Sequence, residues 1–282
     1  MEIIESSSWT IALAKTLLHS LWIGFLLLSL LKIVFQLVSD RFPAIRYRIA
    51  VFTLLLFAGS VIMAFRMLYA PVESTFVNPT GISTFLFFLP GAGDMLENTG
   101  RFPVKVLCSV CSYLYFAGIV SFLGRSLLAI IQMRVIRKGS IPVRDHWYER
   151  YLKVKAWTGV KRNVDLLVSE KMNVPSLVGI MKPAIIIPAG MFTHLPVNQV
   201  ETIFMHELYH LRRMDLLVSI LQTILEALLF YHPAVWFISR MIRTEREHCC
   251  DDMVLGRTDQ PATYAKALLG LAEMGQPAAN QI

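Results

Sequence analysis

The stretch "TLLHSLWIGFLLLSLLKIVFQLV", residues 16–38, constrains this chain more than any other. About 20 consecutive apolar residues suffice for a helix to cross the hydrocarbon core of a bilayer. Backbone in lipid must also satisfy its own hydrogen bonds, which a helix does. The run is therefore predicted to be a spanning helix. No small-residue cleavage site follows it, so it reads as a retained anchor and not as a signal peptide. His19 within it reads as a polar residue tolerated near the interface. Two further runs have the same character. "IAVFTLLLFAGSVIMAF" occupies residues 49–65 and extends to 69 if Arg66 snorkels. "VLCSVCSYLYFAGIVSFLGRSLLAII" occupies 106–131, with Arg125 as its one charge. Three spans follow, at about 16–38, 49–69 and 106–131. "ISTFLFFLP", residues 82–90, is too short to cross and is expected to be an interfacial or packed loop segment.

Composition agrees. The chain is 55% hydrophobic and 17% charged, with a mean hydropathy of +0.54. Soluble domains carry about 25% charged residues, so a membrane protein with one modest polar domain is expected. The net charge of +7 is not accompanied by any nucleic-acid recognition motif. No direct nucleic-acid contact is expected, and the excess reads as loops facing lipid headgroups. Arg41, Arg46 and Arg48 oppose only Asp40 between the first two spans, and a dense basic series starts at Arg134. Glu73, Asp94 and Glu97 lie between the second and third spans, and the N-terminal "MEIIE" is acidic. Basic loops stay in the cytoplasm. The expected location is the inner (plasma) membrane, with the N-terminus outside and residues from about 133 onward in the cytoplasm.

Cysteine usage gives no disulfide framework. "CSVC", with Cys108 and Cys111, lies inside an apolar segment and is expected to hold buried free thiols.

Residues 1–132 thus form a transmembrane region and 133–282 a cytoplasmic domain. In the latter, "DHWYERYLKVKAWTGV" has helical character and ends near Gly159, while "VDLLVS" and "AIIIP" read as short strands. "LPVNQVETIFMHELYHLRR" reads as a helix, with Asn198 as its cap and Glu201 in a loose capping box.

That helix carries His206, Glu207 and His210 in the order H-E-x-x-H. Residues four apart share a helical face, so both imidazoles can reach one ion with Glu207 beside it. This is the pattern of zinc peptidases, in which the glutamate is the general base. A third ligand must come from elsewhere. A metzincin-type extension is excluded, because Arg213 and Leu216 stand where glycine and histidine would be needed. Asp215, on a continuing helix, would lie about 140° from the ligand face. It is left as an outer partner or a helix cap. Downstream, "RTEREHCCDD" offers Glu247, with Asp251 one turn on to accept a ligand histidine's N–H. Glu245 and His248 compete with Glu247.

Glu247 reaches the histidines only if the intervening apolar segment doubles back. "YHPAV" provides the turn, since proline disfavours helix before itself and suits a new first turn. At 1.5 Å per residue, the outward arm is about 24 Å and the return from Pro233 to Glu247 about 21 Å. A helical hairpin over 214–255 is predicted, buried in the domain or in the cytoplasmic leaflet. Gln222 and Glu226 within it argue against full lipid exposure. "KPAIIIP", residues 182–188, is read either as an edge strand that aligns an extended peptide or as a core strand.

Taken together, the chain resembles the BlaR/MecR family of integral-membrane zinc metallopeptidases, of the gluzincin type. The resemblance runs through "HSLWIGFLLL", "AIRYRIAVFTLLLF", "VPSLVGIMKPAIIIP", "HELYHLRRMD", "YHPAVWFISRMIRTEREHCCDD" and "YAKALLGLA". By the family's E-x-x-C-D pattern it implies Glu247 as a zinc ligand, followed by Cys250 and Asp251. His206, His210 and Glu207 match the remaining ligand and base positions. The implied fold is α-rich: three N-terminal transmembrane helices and an α+β gluzincin domain with the hairpin between the zinc motifs. The implied activity is a Zn2+-dependent endopeptidase acting in signal transduction on a protein substrate such as a cytoplasmic repressor controlling antibiotic resistance. A homo-oligomer is compatible with this. The 282 residues hold no fourth clear span and no extracellular sensor, so the expectation is confined to the peptidase core. The alternative is a signalling scaffold with a structural zinc.

Overall fold

A computed structural model of the chain describes residues 8–69, 101–258 and 260–275. The acidic N-terminal pentapeptide, the 82–90 segment and the charges at 73, 94 and 97 lie outside the described residues. Among the described residues, three helices are long and apolar enough to cross a membrane: α1 (Ser8–Leu37), α2 (Pro43–Tyr69) and α3 (Arg101–Lys138). They contain the three expected spans. The chain is a membrane protein. Large apolar side chains such as Trp22, Leu37 and Val120 point outward from these helices, as a lipid-facing surface requires. Only 11% of the apolar window of α3 is buried, against 28% for α1, so α3 is the peripheral member. That corrects the expectation for "CSVC". Both thiols are free, but Cys111 is exposed and Cys108 only half-buried.

The polar region begins with β1 (Ile141–Pro142) and α4 (His146–Thr158). Asp145 caps α4 by accepting from the Trp147 amide, and Gly159 ends it at φ 72°, a left-handed conformation suited to glycine. Next come β2 (Asp165–Ser169), β3 (Ser176–Val178) and β4 (Ala184–Pro188). The sheet order is β1-β2-β4-β3, with β2 parallel to β4 and the outer pairs antiparallel. Strand β4 is buried along its whole length. Its continuous apolar run needs cover on both faces, and burying each of Ile185, Ile186 and Ile187 is worth about 1.5–3 kcal/mol. The edge-strand reading of residues 182–188 is therefore corrected: β4 is an inner strand, and β3 is the edge strand beside it.

After the short α5 (Met191–His194), α6 (Val197–Arg212) carries the histidines. Its capping differs from expectation. Pro196 sets the entry, no side chain caps it, and Asn198 falls inside the first turn. Glu201 pairs instead with Arg150 of α4 at 2.8 Å. The helix also stops sooner than expected. Met214 adopts φ 60°, the one non-glycine positive φ among the described residues, and α7 (Asp215–Leu228) sets off anew.

Helix α8 (Pro233–Leu255) follows a tight turn, with Pro233 at its start and the His232 ring accepting from the Ala234 amide. Helices α7 and α8 run antiparallel, held by Gln222 to the Ser239 carbonyl, Glu226 to Arg243, and Ser219 to Arg246. Their connecting turn packs against the middle of the membrane helices. The Tyr231 hydroxyl lies 2.8 Å from Ser20 Oγ, and His232 Nε2 donates to the Ser20 carbonyl. Gly24 is needed there, since a Cβ would come 2.2 Å from the His232 ring. Finally, α9 (Pro261–Gly275) packs on α6. Three apolar clusters result among the described residues. One joins the sheet, α4, α6, the end of α8 and α9; the second joins α1, α2, α7 and α8; a small third, Leu167, Ala184 and Ile186, packs beneath Ile136 at the end of α3.

Candidate metal centre

One helical turn of α6 aims His206 and His210 at the same point, as residues four apart must. Their Nε2 atoms lie 3.1 Å apart. Glu247 of α8 brings Oε2 to 3.4 Å from each of them. These distances can be tested against a metal. Zinc bonds of 2.0–2.1 Å in a tetrahedron separate ligand atoms by about 3.3 Å. The three donors already stand at that spacing, so they fit a tetrahedral ion with one position left over.

The other ring nitrogens are also engaged. The Tyr264 hydroxyl donates its proton to Asp251 Oδ1 at 2.6 Å and lies 2.7 Å from His206 Nδ1. With its proton given to Asp251, the Tyr264 oxygen accepts from His206 Nδ1–H. Asp251 Oδ1 itself is 3.2 Å from that nitrogen. His210 Nδ1 donates to Asp215 Oδ2 at 2.9 Å, with Cys250 Sγ 3.3 Å away. In their neutral form, the one that can bind a metal, both rings thus carry their hydrogen on Nδ1 and present the Nε2 lone pair inward. Such outer partners fix tautomer and orientation in metal sites.

The electrostatics favour positive charge. Burial pushes the His206 pKa down, but the carboxylates of Asp251 and Glu247 outweigh it and hold it at about 9. For His210 burial is again overcome, chiefly by Asp215, and the pKa stands at about 12. Against the upward push of burial, the two rings pull Glu247 well below the usual carboxylate range. Glu207 shifts the other way. Burial raises it, and the two imidazoles only partly offset this. Its carboxylate is hydrogen-bonded to the backbone of Leu177 on the edge strand β3.

These groups border a cavity of about 750 Å³. Its walls include Leu177 of β3, Leu216 of α7, Arg246 of α8, and Leu268 and Leu271 of α9. The structure therefore brings His206, Glu207, His210, Glu247 and Asp251 together. The two competitors lie elsewhere: Glu245 is buried against Arg46 at 3.1 Å, and His248 is exposed.

One partner, Tyr264, escapes a reading of the residues alone, while Asp215, left open there as an outer partner or a helix cap, lies against His210. Asp215 is 2% exposed and bonded directly to His210. The expected 140° offset assumed an unbroken helix, and the kink at Met214 removes it. Tyr264 comes from α9, and no spacing rule ties it to the histidines. A second group of donors exists among the described residues, formed by His210, Asp215 and Cys250. Its Asp215 and Cys250 are buried, and Arg213 Nε already neutralises Asp215 at 3.2 Å.

The chain was also compared with known proteins. A family described as "BlaR1 peptidase M56" matches residues 94–282. "Regulatory protein BlaR1" of Bacillus licheniformis is 30% identical over 104 residues, 36% of this chain and 17% of that protein. "Methicillin resistance mecR1 protein" of Staphylococcus aureus (strain Mu50 / ATCC 700699) is 23% identical over 164 residues, 57% of this chain and 28% of that protein. The protein of the same name from Staphylococcus epidermidis gives the same figures. The chain thus aligns with less than a third of the length of these relatives.

Proposed function

The chain belongs to the BlaR1 peptidase M56 family, and from that premise we propose that it is a membrane-embedded, zinc-dependent endopeptidase of the gluzincin type. Residues 133–282 would form its catalytic domain, facing the cytoplasm of a cell whose inner membrane holds residues 1–132. Its substrate would be a cytoplasmic or membrane-proximal protein, and its role signal transduction. The name of the mecR1 relatives suggests a setting in antibiotic resistance, and inactivation of a repressor is the specific form of the proposal.

The observation that carries this reading is the convergence of His206 Nε2, His210 Nε2 and Glu247 Oε2 at tetrahedral spacing beside a large cavity. These three residues would hold Zn2+, with Asp251, Tyr264 and Asp215 orienting the rings. Bound zinc supplies a Lewis acid that polarises the scissile carbonyl and makes water more acidic. Glu207 takes the proton from the attacking water and hands it to the leaving amine. Burial and the Leu177 backbone hold it at the cavity wall for this. The N–H and C=O of one strand residue point the same way. Leu177, whose N–H faces Glu207, therefore turns its carbonyl to the same edge. An extended substrate can pair there by β-augmentation. The apolar wall from Leu216, Leu268 and Leu271 favours apolar side chains near the scissile bond.

The test uses the purified full chain loaded with zinc and an unstructured protein substrate. Glu207→Gln should abolish cleavage while zinc stays at one per chain. Cleavage that persists in this variant would overturn the proposal and leave the zinc a structural role.

A further inference from the structure

The stretch "AIRYRIAVFTLLLF" opens membrane helix α2, and two of its residues, Arg46 and Tyr47, touch side chains close in sequence to the metal-site residues. We infer that Arg46 and Tyr47 are positioning residues for the site, so that the first turn of a membrane helix holds both of its ligand-bearing segments. The inference rests on the proposed reading of the site as a metal centre.

Two separate lines run from that turn. Arg46 Nε lies 3.1 Å from Oε1 of Glu245, whose side chain is 4% exposed. Glu245 precedes the proposed ligand Glu247 by two residues on α8, so the ion pair anchors the turn that presents the ligand. Arg46 is itself fixed. It pairs with Asp40 in the α1–α2 turn, and its guanidinium lies 4.5 Å from the centre of the Phe35 ring of α1. The second line begins at Tyr47. Its buried ring carries the Arg213 guanidinium at 5.0 Å. Arg213 Nε donates to Asp215 at 3.2 Å, and Asp215 accepts from His210 Nδ1 at 2.9 Å. One turn of α2 therefore reaches His210 of α6 through the kink at Met214, and Glu247 of α8 through Glu245. Neither line includes a group that touches a metal or a substrate, apart from the ligands at their ends.

The physical consequence follows from burial. Glu245 is buried, with Arg46 at 3.1 Å from one oxygen and the exposed His248 of the same helix at 3.7 Å from the other, and such a carboxylate left without its guanidinium moves or draws in water. Either outcome shifts the turn that carries Glu247. A slide or tilt of α2 pulls on both lines together.

The test measures zinc affinity of the full chain in detergent, by competition with a chromogenic chelator. Arg46→Met and Glu245→Met should each weaken binding about tenfold, the usual scale for losing an outer support of a metal site. The double variant Arg46→Met/Glu245→Met leaves no stranded buried charge and should recover most of the loss. Tyr47→Leu should weaken binding, and Tyr47→Phe, which keeps the ring under Arg213, should not. Folded single variants with wild-type zinc affinity would overturn the inference. If the Arg46 and Glu245 single variants do not fold, the Tyr47 pair decides: equal affinity in Leu and Phe would overturn it. A wild-type chain that binds no zinc would overturn the reading of the site itself.

Discussion

The two nitrogens of His210 face regions that match in donor count and differ in everything else. On the Nε2 side stand His206 and Glu247; on the Nδ1 side stand Asp215 and Cys250. The first group opens on a cavity of about 750 Å³. The second is buried: Cys250 is fully covered, and Asp215, though it borders the same cavity, is 2% exposed. Its members already bond to one another, and Arg213 supplies the charge that Asp215 needs. Donors within reach of one another are therefore not enough. A catalytic ion also needs room for a further ligand and a site whose charge is unmet. In this account the outer side is the reaction centre and the inner side its support.

Substitutions can break that contrast. The largest effect should come from His206→Ala, which removes a donor from the cavity side alone. Stoichiometric zinc should be lost in elemental analysis of the purified protein, and retention would point to the inner group. Asp215→Asn keeps the volume but weakens the hydrogen bond to His210. It should lower zinc affinity by about 10–100-fold in a chelator competition. Asp251→Asn, on the partner ring, should cost about tenfold. The smallest effect should come from Cys250→Ala. A supporting thiol should change zinc affinity less than either carboxylate does, whereas a ligand thiol would take the zinc with it.

A change of pH sharpens the same comparison. In the metal-free protein His206 is held at about 9, above its ordinary 6.5. Its contribution to stability is complete below pH 6.5 and disappears as the pH rises through about 9. Thermal unfolding of the metal-free protein should therefore shift to lower temperature over that window. The zinc-loaded protein should shift less, because the ion replaces the proton. Equal slopes for the two forms would count against zinc at His206.

Much of this arrangement is legible in the sequence, for physical reasons that can be named. The spans declare themselves because lipid accepts only long apolar helices. The pairing of His206 with His210 needs nothing more than helical pitch. Glu247 can be placed beside them because proline interrupts the apolar segment with nearly equal arms on either side. What stays hidden depends on tertiary detail. The kink that swings Asp215 onto His210 sits at Met214, which announces no turn, unlike glycine or proline. Tyr264 arrives on a separate helix. The run at 182–188 signals a strand, yet its place at the centre of the sheet is set by which neighbours cover it. The three-residue edge β3 is too short to show a period.

The most direct measurement is zinc K-edge X-ray absorption on the purified, zinc-loaded protein. The expected result is a shell of nitrogen and oxygen at about 2.0–2.1 Å with no sulfur. A sulfur neighbour at about 2.3 Å would place the ion on the Cys250 side of His210 and contradict it.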